Sequence, residues 1–200
     1  MKRVIRGALV ALASLCALGG LASQATALTI DPVGEYTAIS DTVVFDLNGV
    51  TPLASCRSSS LPVALARDGS GTIARGSAAF TDCITLFSTV TIAQTADATV
   101  AMTLAPTTGG GTRIGFVVTI PRDGMQVTIG GCVFTVGGTV TLEHQYRETT
   151  LPFTLSTTDE FPIVAADLVV GSATSCVFGP GDPVGLGGGY TLSRGMVIDG

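Results

Sequence analysis

Several stretches of the chain alternate between apolar and polar positions with a period of two residues. Segments 89–92 and 98–104 alternate strictly, and segments 115–120, 125–129 and 135–146 mix β-branched residues with polar ones. A period of two places successive side chains on opposite faces of a strand, and threonine and valine suit a half-buried pleated surface. The pattern predicts β-strands, and only the N-terminal segment departs from it clearly.

Turn-forming residues separate these stretches. Arg122-Asp123-Gly124 lies between two apolar segments and predicts a tight hairpin. Segments 68–71 and 107–111 predict looser connections, and segment 179–183 interrupts the chain before the last strands. Segment 164–170 is compatible with a short helix and equally with a strand.

The spacing of these turn signals predicts about ten or more strands of roughly 5–8 residues. We therefore expect an all-β fold, an antiparallel β-sandwich or barrel-like sandwich. No Pro- or Ser-rich linker divides the chain after residue 27. Residues 28–200 are expected to form a single secreted β domain with a hydrophobic core of its own.

The first 27 residues have the order of a secretory signal peptide. Lys2, Arg3 and Arg6 precede an apolar run over 7–21, and Ala25-Thr26-Ala27 supplies small residues for cleavage after Ala27. The apolar run is shorter than the ~20 residues of a spanning helix. We expect secretion or display at the cell surface, with no transmembrane helix after cleavage.

Charge narrows the possible partners. The chain has ten basic and fifteen acidic residues and a net charge of −5. Three of the basic residues lie in the expected signal peptide, so the mature chain has seven basic residues against the same fifteen acidic ones, and a net charge of −8. An acidic chain with scattered arginines argues against nucleic-acid binding and against anionic lipid. The expected partner is an unknown ligand outside the cell or in the cell envelope.

Four of the five cysteines remain after signal cleavage, because Cys16 lies in the signal segment. A lipid anchor on Cys16 would need a small residue before it, and Leu15 stands there. In a secreted domain an even number of cysteines implies disulfides. Three pairings are possible, of which we favour the sequential one because it cross-links separate halves of the chain: Cys56–Cys83 and Cys132–Cys176. No C-x₂₋₄-C spacing suggests a metal site.

Short motifs around the cysteines and near the C-terminus occur in a fixed order: Cys56, Phe80-Thr81-Asp82-Cys83, Gly130-Gly131-Cys132-Val133-Phe134-Thr135-Val136-Gly137-Gly138-Thr139, Thr174-Ser175-Cys176 and Gly189-Tyr190-Thr191-Leu192-Ser193. This order resembles a largely uncharacterised group of small secreted four-cysteine β-proteins of actinobacteria. The resemblance covers most of the mature chain. It implies a secreted β fold with sequential disulfides and no particular reaction. Members of the group often carry a tryptophan in the middle region, and this chain has none.

Candidate catalytic groups are few. His144 is the one possible base of a hydrolytic triad, but no Gly-x-Ser-x-Gly motif accompanies it, and we expect it on the outer face of a strand. Glu143, Glu148, Asp159 and Glu160 are candidate glycosidase carboxylates. Glu143 and Glu148 differ by five positions and would face opposite sides of a regular strand.

Metal and cofactor motifs are also lacking. Calcium needs several converging oxygen ligands, often as D-x-D-x-D-G, and no such run occurs. Five aspartates lie in or near predicted turns: Asp41, Asp46, Asp68, Asp123 and Asp182. The glycine runs lack the strand-to-helix setting of a phosphate loop. We expect no catalytic, cofactor-binding or metal-binding residues.

The sequence thus favours a non-enzymatic protein with a binding or structural role in the cell envelope or extracellular space. Two alternatives remain open. A signal peptide followed by alternating strands is also found in outer-layer β-barrel or pore proteins, although the chain has no tryptophan for an interfacial girdle. An extracellular hydrolase using acidic residues is the second alternative.

Overall fold

The computed structural model describes residues 28–49, 51–86 and 88–200. The expected signal peptide, with Cys16, lies outside the described residues. Within them the chain forms fifteen strands and no helix: β1 (Thr29–Asp31), β2 (Gly34–Ser40), β3 (Val43–Leu47), β4 (Thr51–Cys56), β5 (Ser58–Leu65), β6 (Ser70–Ile73), β7 (Ala79–Thr81), β8 (Val90–Gln94), β9 (Ala98–Pro106), β10 (Thr112–Ile129), β11 (Cys132–Tyr146), β12 (Phe153–Leu155), β13 (Phe161–Thr174), β14 (Pro183–Leu192) and β15 (Met196–Asp199). Segment 164–170 is therefore part of a strand.

Eight strands close into a hydrogen-bonded ring. Their order is β13–β11–β10–β9–β6–β5–β2–β14, and the ring closes because β13 pairs with both β11 and β14. The pairings around this ring are antiparallel. Strands β3 and β4 extend from β14, β8 pairs with β10, and β7 pairs with β5. This arrangement confirms the expected all-β, antiparallel architecture and corresponds to its barrel-like form.

A second, three-stranded sheet joins the first and last strands. Its order is β1–β15–β12, with Thr29 opposite Asp199. The backbone amide of Ile30 donates to the carbonyl of Arg67, at the β5–β6 turn. The ring of Phe153 lies 5.6 Å from that of Tyr146, at the end of β11. The small sheet therefore packs at one end of the ring, and the two disulfides lie at the other.

The buried side chains form one continuous hydrophobic cluster that includes residues from both sheets. Phe116 of β10 and Phe161 of β13 meet edge to face on either side of β11, with centroids 5.1 Å apart. Phe45 and Phe80 make a similar contact at 5.9 Å. Such aromatic contacts add to the stabilisation that comes from buried apolar area alone. The described residues include no helix that is long and apolar enough to cross a membrane.

The prediction of a hairpin at Arg122-Asp123-Gly124 is wrong. Strand β10 continues through these residues, and its register against β11 shifts between Ile120 and Met125. Asp123 has a φ of 62°, which fits a turn-forming residue, but the turn is a bulge within one long strand. A Cβ on Gly137 would overlap the carbonyl of Pro121. The partner strand β11 therefore needs glycine where it contacts the bulge. The reversal between β10 and β11 occurs instead between Ile129 and Cys132.

Candidate functional site

Both expected disulfides are confirmed. Cys56 and Cys83 are bonded with a Cα–Cα distance of 3.9 Å, and Cys132 and Cys176 with one of 4.8 Å. Cys56 ends β4 and is buried together with Cys83. Cys132 begins β11 and is half-buried, like Cys176. The four cysteines are therefore structural cross-links, and their environments differ.

Two open grooves on the outer surface meet at Glu160. The first has a volume of about 620 Å³ and is lined by Glu160 with nine residues of β11, β13 and the region around the β9–β10 loop: Thr107, Thr108, Gly109, Arg113, Glu143, His144, Gln145, Pro162 and Val164. The second has a volume of about 580 Å³ and is lined by Glu160 with nine residues of β2, β3, β14 and the β2–β3 turn: Ile39, Ser40, Asp41, Thr42, Val44, Gly187, Gly188, Gly189 and Thr191. Both volumes lie within the usual range of ligand sites.

Glycine makes room for the carboxylate at the centre of this surface. Glu160 lies directly before β13, and its side chain crosses Gly189 on the neighbouring strand β14, where a Cβ would overlap Oε1 of Glu160. The same arrangement places Asp46 over Gly185 and Asp123 over Gly171. Because Gly187–Gly189 carry no side chains, the floor of the second groove is backbone.

The groove surface carries more negative than positive charge. Arg113 donates to Glu143 across the β10–β11 pair, at 3.1 Å. Among the described residues, Glu160 and Asp41 have no ion-pair partner. Threonine and serine hydroxyls supply most of the other polar groups along both grooves. The surface therefore suits a polar ligand that donates hydrogen bonds or carries positive charge.

His144 does not lie on the outer face of its strand, contrary to expectation. It is directly opposite the buried Ile114 in the β10–β11 register, so its side chain shares the inward-facing side of the sheet. Its ring lies 5.5 Å from that of Phe161. Nδ1 lies 2.8 Å from the carbonyl oxygen of Glu160; since a carbonyl only accepts, Nδ1–H is the donor. His144 thus fixes the backbone that carries Glu160.

The hydrogen-bonding groups around His144 do not form a triad. No hydroxyl or thiol within the described ranges is hydrogen-bonded to the imidazole. Glu143 is engaged by Arg113, and Glu148 lies beyond the end of β11, so the two candidate carboxylates do not share a strand. The structure does bring His144 and Glu160 together, but through a backbone carbonyl rather than a carboxylate.

Asp159 closes a turn beside the grooves. Its Oδ2 accepts hydrogen bonds from the Tyr146 hydroxyl at 2.5 Å and from the Ser156 amide at 2.7 Å. Desolvation opposes ionisation of Asp159, but these hydrogen bonds outweigh it, so the pKa of the carboxyl lies below its ordinary value. Burial, and then the bond to Asp159, raises the pKa of the Tyr146 hydroxyl. This pair holds the segment that leads into Glu160.

Three of the aspartates considered as calcium ligands accept hydrogen bonds within their own turns. Asp46 accepts from the Gly49 amide, Asp68 from Ser70, and Asp182 from the Gly179 amide. Asp123 accepts from the Thr135 hydroxyl across the bulge. In the part of the chain that is described, no three His, Cys, Asp or Glu residues are grouped to hold a metal ion.

A third concavity, of about 390 Å³, lies beside the Cys132–Cys176 disulfide. Its lining includes Leu86 and Val177, which are 91% and 103% exposed. Ile84, two residues before Leu86, is 57% exposed. Exposed apolar side chains that lie together are typical of contact surfaces.

Comparison with protein-family models, with curated proteins and with solved structures finds no match for this chain. The resemblance to small secreted four-cysteine proteins of actinobacteria stays a prediction.

Proposed function

We propose that this protein is a secreted or cell-surface, non-enzymatic binding protein whose outer grooves hold a polar ligand of the extracellular space or cell envelope. The observation that carries the proposal is the pair of grooves, about 620 and 580 Å³, that share the carboxylate of Glu160. Between them the two grooves present hydroxyl and carboxylate groups on both sides of that residue.

Charge and hydrogen bonding narrow the class of ligand. Glu160 and Asp41 present carboxylates without a described ion-pair partner, whereas the guanidinium of Arg113 is engaged by Glu143. Carboxylates are acceptors only, and hydrogen bonds to a charged acceptor are about twice as strong as neutral ones. A ligand that is rich in hydroxyl groups and carries amines fits these groups, as in an amino-polysaccharide.

The non-enzymatic part of the proposal is supported by the engagement of two of the candidate catalytic groups, His144 and Glu143. Nδ1 of His144 donates to a backbone carbonyl, and Glu143 is ion-paired with Arg113. The extracellular part is supported by the two disulfides, which persist in oxidising compartments. The signal-peptide pattern of the N-terminal residues also supports an extracellular location.

Binding to cross-linked chitosan beads, at a pH at which their amines are protonated, tests the proposal, with neutral cellulose as the comparison. The mature protein is mixed with each solid and the unbound fraction is measured across a range of protein concentrations. We expect retention by chitosan that exceeds retention by cellulose. Glu160→Gln should weaken chitosan binding roughly ten-fold, because a charge-assisted hydrogen bond of about 1.5–3 kcal/mol is replaced by a neutral one of about 0.5–1.5 kcal/mol, and a difference of about 1.4 kcal/mol is ten-fold in affinity.

A matched variant separates the grooves from the general acidity of the chain. Glu35→Gln removes the same charge from an exposed position of β2 that lines neither groove. We expect it to leave chitosan binding within about two-fold of the wild type, since screened surface charges contribute little. Equal weakening by the two variants, or no preference for chitosan, would overturn the proposal.

A further inference from the structure

The interior of the eight-stranded ring is not completely filled. Two cavities of about 50 and about 60 Å³ lie inside it. Each is lined almost entirely by apolar side chains, and the two cavities share five of them: Leu61, Ile73, Val118, Leu142 and Tyr190. The cavities are therefore neighbours, separated by side chains that belong to both.

The alternation of burial along the strands locates the empty space independently. Ala38, Leu61 and Val118 point inwards, because the residues two positions before and after each of them are buried. Nevertheless all three are only half-buried. Ala38 and Leu61 are directly opposite each other in the β2–β5 register. Their exposed surface faces the middle of the ring rather than the outside, so the packing defect lies at mid-height.

The polar groups along the cavities are already paired. The Tyr190 hydroxyl and Ser59 Oγ are 2.7 Å apart and buried. The Gln94 amide nitrogen donates to the carbonyls of Ile73 and Ala96, and its oxygen accepts from the Ala78 amide. A guest that needs hydrogen bonds, water included, finds few partners here, because apolar side chains line almost all of both cavities.

We propose that the ring interior is a binding site for one small apolar molecule without hydrogen-bonding groups. The site is distinct from the outer grooves, since Glu160 lines neither cavity. An apolar cavity of about 150 Å³ in another protein takes up benzene or xenon. The two cavities here are smaller, so xenon is the matched probe.

Binding inside the ring is measured by methyl NMR of the mature protein under increasing xenon pressure. We expect saturable shifts of the methyl signals of the shared residues Leu61 and Val118, and smaller ones for methyls on the outer face. Xenon at ten times its Kd should also raise the thermal midpoint by roughly 3–6 °C, since a ligand that binds only the folded state stabilises it.

Val118→Phe is the variant that fills both cavities. We expect it to abolish the xenon-induced shifts at Leu61. Val169→Phe is the matched control, because it adds the same group at a position of β13 that is 44% exposed and lines neither cavity. It should keep the full response of the wild type.

If Val118→Phe does not fold, Ala38→Val replaces it as the filling variant, because Ala38 lines the first cavity. It should reduce the xenon-induced shifts at least three-fold at Leu61. The proposal is overturned if wild-type methyl signals do not respond to xenon. It is also overturned if a folded filling variant responds as strongly as the Val169→Phe control.

Discussion

Removing the two disulfides one at a time should lower the free energy of unfolding by different amounts. The perturbations are the paired replacements Cys56→Ala with Cys83→Ala, and Cys132→Ala with Cys176→Ala. The bonded residues are 27 positions apart in the first case and 44 in the second. Chain entropy alone assigns about 3.5 kcal/mol to the shorter loop and about 4 kcal/mol to the longer one. On this basis the second replacement would be the more damaging.

The burial of the cysteines reverses this expected order of destabilisation. Cys56 is fully buried and Cys83 is 5% exposed, whereas Cys132 and Cys176 are half-buried. Replacing a buried cysteine by alanine removes packing contacts and leaves a small cavity, at a cost of roughly 1 kcal/mol for each sulfur. We therefore expect the first replacement to lower the free energy of unfolding by about 5.5 kcal/mol, and the second by only slightly more than about 4 kcal/mol.

The assay is urea unfolding followed by far-UV circular dichroism, because the chain has no tryptophan to serve as a fluorescent probe. Linear extrapolation gives the free energy of unfolding in water, and the m-value checks that each transition is comparable. A fully reduced wild-type sample provides the reference without either cross-link. The reasoning is refuted if the Cys132/Cys176 variant loses more stability than the Cys56/Cys83 variant at similar m-values.

Three further results are expected. A mild reductant under native conditions should open Cys132–Cys176 before Cys56–Cys83, as thiol alkylation and peptide mapping would show, because the former is half-buried. Burial raises the pKa of all three tyrosine hydroxyls, that of Tyr190 to about 12, so tyrosinate absorbance should develop at a higher pH in the folded protein than in urea, where the ordinary pKa of about 10 applies. Asp159 has a lowered pKa, so its contribution to stability is present above about pH 4 and is lost as the pH falls through the folded value. Tyr146→Phe should cost about 1–2 kcal/mol at neutral pH in urea unfolding, and this difference should shrink in acid; a pH-independent difference would contradict that explanation.

The positions of the strands can be predicted from local pattern, because apolar and polar residues alternate along a strand that has one buried and one exposed face. Segment 98–104 alternates strictly, and in β9 the residues Ala98, Val100 and Met102 are buried as that alternation requires. The sequence favours one disulfide pairing without excluding the others, since four cysteines allow three connectivities. Strand lengths cannot be predicted in the same way. Strand β10 is 18 residues long, because the residues that locally indicate a turn form a bulge within the strand.

The candidate site is harder to predict than the strands. Local pattern favours the outer face for His144, but the β10–β11 register places it opposite Ile114, on the side that faces the core. No sequence signal pairs Glu160 with Gly189, because the two residues meet only through the β13–β14 pairing that closes the ring. A run of glycines near an acidic residue is too common a pattern to indicate such a contact by itself.

Local sequence is enough to define the class of structure: strands follow from period-two alternation, turns from glycine and aspartate, and cysteine cross-links from an even count after a signal-like segment. It does not define which strands meet. Closure of β13 onto β14 creates the grooves at Glu160 and encloses the incompletely filled interior around Val118. This difference arises because alternation fixes which face a side chain takes, whereas register and closure depend on contacts between residues far apart in the chain.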